Sequence, residues 1–60
     1  MKKYYTTGNY RVPSGLEGFI LQESEAFPEM VMVVLKYGNF DWRVVHINRQ
    51  DLIQIGEPND

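Results

Sequence analysis

Met30-Val31-Met32-Val33-Val34-Leu35-Lys36-Tyr37 is an apolar run rich in β-branched residues, and Gly38-Asn39 interrupts it. Branched and aromatic side chains fit a pleated, half-buried surface, so the run predicts a central β-strand. Strand side chains alternate between faces, which sets Val31, Val33, Leu35 and Tyr37 against Met30, Met32, Val34 and Lys36. Both faces are apolar in their middle. One face is then core, and the other is covered by a loop, a terminus or a partner.

Downstream, Gly38-Asn39-Phe40-Asp41 is a short link to a second run, Trp42-Arg43-Val44-Val45-His46-Ile47, and predicts an antiparallel hairpin. Asn48-Arg49-Gln50-Asp51 reads as one tight 3₁₀ turn. Leu52-Ile53-Gln54-Ile55 reads as a short last strand stopped by Gly56 and Pro58, with Glu57-Pro58-Asn59-Asp60 a frayed tail. Upstream, Gly18-Phe19-Ile20-Leu21-Gln22-Glu23 is a strand that follows the turn Gly15-Leu16-Glu17-Gly18, where glycine supplies positive φ. Tyr10-Arg11-Val12 is a short strand that Pro13 ends or places at an edge. Ser24-Glu25-Ala26-Phe27-Pro28-Glu29 is a connecting loop, because Pro28 disfavours helix at Phe27. No segment carries helical periodicity, and no repeat or linker is present.

Sixty residues predict one domain over 1–60, with a core from about 10 to 55 and short terminal tails. A chain of this length buries only about 60% of its unfolded surface, so packing or self-association has to supply stability. The absence of cysteine excludes disulfides and thiolate zinc sites. Nothing near His46, the sole histidine, has ligand spacing, so no metal or cofactor is expected. Eight acidic and six basic residues leave a formal charge of −2, which argues against general affinity for nucleic acid or anionic membranes. Met30 to Leu35, the longest apolar run, is too short to cross a bilayer. Lys2 and Lys3 have no apolar segment behind them, as a signal peptide would, and a cytoplasmic location is expected.

Five short strands with glycine-marked turns predict a small, strongly bent antiparallel barrel. The chain resembles SH3-like barrels through Gly15-x-x-Gly18-Phe19-Ile20, the long strand from Met30, and Val45-His46-Ile47-x-x-x-Asp51-Leu52-Ile53-x-Ile55. The resemblance covers about residues 10 to 55. It implies a five-stranded SH3-like barrel with one 3₁₀ turn before the last strand. Families of this kind include the KOW domains of ribosomal and transcription proteins and small barrel subunits of photosynthetic and redox complexes. In KOW domains the region of Gly15-Leu16-Glu17-Gly18 contacts RNA. Glu17 stands in its middle here and would repel a phosphate.

Candidate chemistry is sparse. A catalytic histidine needs a nucleophile or acid within hydrogen-bond reach, and strand alternation gives His46 only Val44 and Trp42 as same-face neighbours. Ser14 and Ser24 lie in turns without a nucleophile motif. Glu23, Glu25 and Glu29 cluster around one loop, but a filled barrel has no cleft to pair them for acid–base work. They read as a solvated acidic loop that steers a basic partner. Lys2, Lys3, Arg11, Lys36, Arg43 and Arg49 are dispersed along the chain rather than gathered into a patch.

Aromatic residues are in surplus. Tyr4, Tyr5, Tyr10, Phe27, Tyr37, Phe40 and Trp42 exceed what so small a core absorbs. They either close the ends of the barrel or form a contact surface, since binding hot spots are enriched in Trp, Tyr and Arg. The expected function is a non-enzymatic protein-interaction module or accessory subunit. Its contact residues would be Phe40, Asp41, Trp42 and Arg43 at the hairpin tip, with Glu25, Phe27 and Glu29 of the other long loop beside them. A KOW-like nucleic-acid domain is the alternative. Self-association through Met30, Met32 and Val34 is a further one.

Overall fold

The structure, a computed structural model, describes residues 2–56. Five strands and one short helix follow in the order β1 (Lys3–Thr6), β2 (Glu17–Glu23), β3 (Met30–Gly38), β4 (Asp41–Asn48), a 3₁₀ turn (Arg49–Asp51) and β5 (Leu52–Gly56). They form one sheet in the order β4-β3-β2-β1-β5, antiparallel throughout. Among the described residues no ladder joins β4 to β5, so the sheet is not closed by hydrogen bonds.

β3 behaves as its alternation demands. Val31, Val33 and Leu35 are fully buried, while Met30, Met32, Val34 and Lys36 on the other face are half-exposed. Val12 and Ile47 complete the buried cluster, and Leu16, Ile20, Tyr37, Val45 and Leu52 pack around it. Bulges in β5 at Ile55, opposite Lys3 and Tyr4, in β2 between Ile20 and Gln22, and in β3 between Lys36 and Gly38 bend the sheet around this cluster. Asn48 caps the 3₁₀ turn, its side chain accepting from the Gln50 backbone N–H at 3.0 Å.

The first half differs from the sequence expectation in one element. Tyr10-Arg11-Val12 is a bent loop, not a strand. The Asn9 side-chain oxygen accepts from the backbone N–H groups of Arg11 at 2.7 Å and Val12 at 2.8 Å, and Asn9 N–H donates to the Val12 carbonyl. These local bonds replace a sheet ladder. Val12 is still buried, as a loop residue plugging the core. The missing strand is β1, in the region assigned to a terminal tail, where Tyr4, Tyr5 and Thr6 have strong strand preference. β1 lies between β2 and β5, so the folded body extends upstream of residue 10.

Thr6 ties this region together. Its hydroxyl donates to the Pro13 carbonyl at 2.7 Å and accepts from the Leu16 N–H at 3.0 Å. The two glycines of the expected turn do different work. Gly15 adopts φ +83°, as a turn requires, whereas Gly18 is buried within β2 against Leu35. The tail expected over Glu57-Pro58-Asn59-Asp60 lies outside the described residues.

Candidate functional site

The registers of β2, β3 and β4 determine what the uncovered face of the sheet presents. Lys36 pairs with Trp42, Val34 with Val44 and Phe19, and Met32 with His46 and Gln22, all on the side opposite the core. The Phe19 and Trp42 rings stack with centroids 6.5 Å apart, and the Lys36 ammonium sits 5.9 Å from the Trp42 ring centre. Trp42 remains 47% exposed and Val44 57%. The face is therefore a continuous apolar stripe across three strands.

At the far end of the stripe the β2–β3 loop overhangs the sheet. Between them lies an open groove of about 740 Å³, with Phe27, Met30, Met32 and His46 among its walls and Glu23 and Glu25 at its rim. Ser24 shapes the loop, its hydroxyl accepting from the Phe27 N–H at 3.0 Å. Phe27 is 62% exposed. Glu23 is engaged by the Arg49 guanidinium, while Glu25 and Glu29 form no ion pair among the described residues.

The expected contact residues are thus divided, not gathered. Phe40, Asp41, Trp42 and Arg43 lie at the β3–β4 turn, and Glu25, Phe27 and Glu29 lie at the opposite end of β3. The eight residue steps from Met30 to Gly38 amount to roughly 26 Å of strand path. The loop is not beside the hairpin tip, because β3 is a single uninterrupted strand that separates its two connections. The tip is itself split by strand alternation. Trp42 joins the outer stripe, while Arg43 pairs opposite Leu35 on the other face and stacks on Tyr37, its guanidinium carbon 4.3 Å from the ring centre.

Arg43 also grips Asp41 through two hydrogen bonds, of 3.1 and 2.9 Å. These bonds, and then the guanidinium charge, hold the Asp41 carboxyl below the usual aspartate range, and the carboxylate in turn raises Arg43. Phe40, at the tip of the turn, is 99% exposed. Phe19 and Val44 belong to the stripe although sequence reasoning did not place them in a site. Alternation from Trp42 would have found Val44. Phe19 needed the β2–β3 register.

The basic residues are largely committed. Lys3 meets Glu17 at 3.2 Å, Arg43 meets Asp41, Arg49 meets Glu23, and Arg11 lies over Tyr10. Among the described residues no cluster of three or more histidine or carboxylate side chains is placed to hold a metal ion. No helix there is long and apolar enough to cross a membrane. Comparison with family models, with curated proteins and with solved structures finds no match for this chain.

Proposed function

We propose that this chain is a non-catalytic protein-binding module or small accessory subunit, built as an SH3-like barrel and acting in the cytoplasm. The strand order β4-β3-β2-β1-β5 and the 3₁₀ turn before β5 support the architecture. The observation that carries the function is the apolar stripe of Phe19, Met32, Val34, Trp42 and Val44, which runs into the groove beneath Phe27. Contiguous apolar surface that carries exposed aromatic rings and is bounded by charged residues is the usual composition of a protein contact. The contact residues of this reading are Trp42 and Phe27 as anchors, with Glu25 and Glu29 at the rim. Phe40, Asp41 and Arg43 adjoin Trp42 alone, at the tip.

Nucleic-acid binding is the weaker alternative, because three of the basic side chains already neutralise carboxylates. Capture from native lysate on immobilised protein, with nuclease present, separates the two readings. Retained protein that disappears with Trp42→Ser and Phe27→Ser, both partly exposed and replaceable without emptying the core, is the expected result. Capture that vanishes with nuclease, or that ignores both substitutions, overturns it.

A further inference from the structure

The two ends of the outer stripe are complementary to each other. One end carries the half-exposed Trp42 ring with the Lys36 ammonium beside it, and among the described residues no carboxylate pairs that cation. The other end carries a recess lined by Phe27, Met30 and Met32 together with Gln22 and His46, where Glu23 is paired with Arg49 and the Glu25 carboxylate has no ion-pair partner among the described residues. Resting on the reading that this face is a protein contact, we infer that its occupant is a second copy of this chain, docked face to face about a two-fold axis.

The charges choose the axis. A two-fold running along the strands would lay Lys36 over Lys36 and Glu25 over Glu25, and like charges brought together across an interface are unfavourable. A two-fold running across the strands reverses the stripe. It sets each Trp42 over the partner's groove and each Lys36 against the partner's acidic rim, while Val34 and Val44 meet near the axis. Such an isologous contact is closed and stops at the dimer.

Area and core size bear on whether the face is covered at all, whichever axis relates the two copies. Three strands and four residue rows make a footprint of roughly 350 Å² in projection. Side-chain relief raises the accessible area towards the about 500–600 Å² per partner at which specific interfaces begin. A contact at that lower limit is weak, of micromolar order. The single chain buries only Val12, Val31, Val33, Leu35 and Ile47 as its apolar core, so covering Phe19, Trp42 and Val44 adds burial that the monomer lacks.

Sedimentation equilibrium of the whole chain, from about 10 µM to about 1 mM, reads the outcome directly. The expected mass rises from one copy to two across this range. Lys36→Glu, which faces the partner's Glu25 with a like charge, weakens association roughly tenfold. Adding Glu25→Lys to it restores the wild-type constant. Circular dichroism of each variant checks that the sheet is retained. A mass of one copy at every concentration overturns the inference, and so does a Lys36→Glu dimer of unchanged affinity or a double variant that fails to recover. Should the chain be monomeric while Trp42→Ser still abolishes capture of another protein, the dimer falls and the binding-module reading stands. Monomeric chain with capture indifferent to Trp42 removes both.

Discussion

Gly18 is the residue whose side chain has least room to exist. A Cβ added there would collide with the Val34 carbonyl oxygen and lie 2.9 Å from Leu35 Cδ2 and 3.1 Å from Leu35 Cα. The first of these is backbone of the central strand, which cannot swing aside as a side-chain tip can. Gly18→Ala is therefore expected to destabilise by about 1–3 kcal/mol, the usual range for overpacking a tight core, or to prevent folding. A urea midpoint within error of wild type would contradict this. Gly15→Ala is strained for another reason, its φ of +83°, although open space surrounds it. Both glycines stand in the same Gly-x-x-Gly run, and only one serves the turn that the run suggests. A sequence shows that two residues lack side chains. It does not show which strand passes close enough to need one of them bare.

At the scale of elements, the β3–β4 hairpin was the most legible part of the chain. Its strands, its turn at Asn39–Phe40 and the following 3₁₀ turn fall where β-branched runs and Gly-Asn punctuation put them. Less legible was the pairing of Asp41 with Arg43, since two residues apart on a strand puts both on one face but leaves the rotamers open. The pair gives the hairpin a pH response of definite sign. Asp41 is depressed in the folded state, so the pair supports the hairpin above the ordinary aspartate range. That support is lost as pH falls through the depressed folded value. Arg43→Gln should move Asp41 upward to an ordinary aspartate value in a carboxylate NMR titration. An Asp41 that titrates at the same pH in both proteins would show that the pair does not control it. The first loop was misread for a related reason. Asn9 saturates the N–H groups of Arg11 and Val12, and a three-residue apolar-looking stretch gives no sign that its donors are already taken.

For the molecule as a whole, the all-β class and the antiparallel sense could be read from the chain, whereas the expected count of five included the loop Tyr10-Arg11-Val12 in place of β1. That strand was invisible because it is short and begins at Lys3, next to residues that look like a solvated terminus. Likewise the candidate contact residues were recognisable one by one as surplus aromatics. Their division between two ends and two faces followed only from register. The sheet also has two kinds of contact in it. β2, β3 and β4 are joined to their chain neighbours by short connections, whereas β1 pairs with β5 across most of the sequence, Tyr4 with Gln54 and Thr6 with Leu52. Closing so long a stretch costs entropy before any pairing rewards it, so the local meander forms first and β1–β5 docks after the main barrier. In kinetic terms, the clasp between β1 and β5 sets how long the native state lasts rather than how fast it is reached. Thr6→Val, which removes both hydroxyl bonds and leaves the Leu16 N–H without its Thr6 Oγ1 acceptor, is expected to cost about 1–3 kcal/mol. Both bonds belong to the β1–β2 corner, so stopped-flow measurements read when β1 docks: accelerated unfolding with the refolding limb nearly unchanged is expected, and a slowed refolding limb would place β1 in the nucleus. On this expectation the lifetime of the fold rests on the ladder that joins its two ends, Lys3 to Thr6 against Leu52 to Gly56.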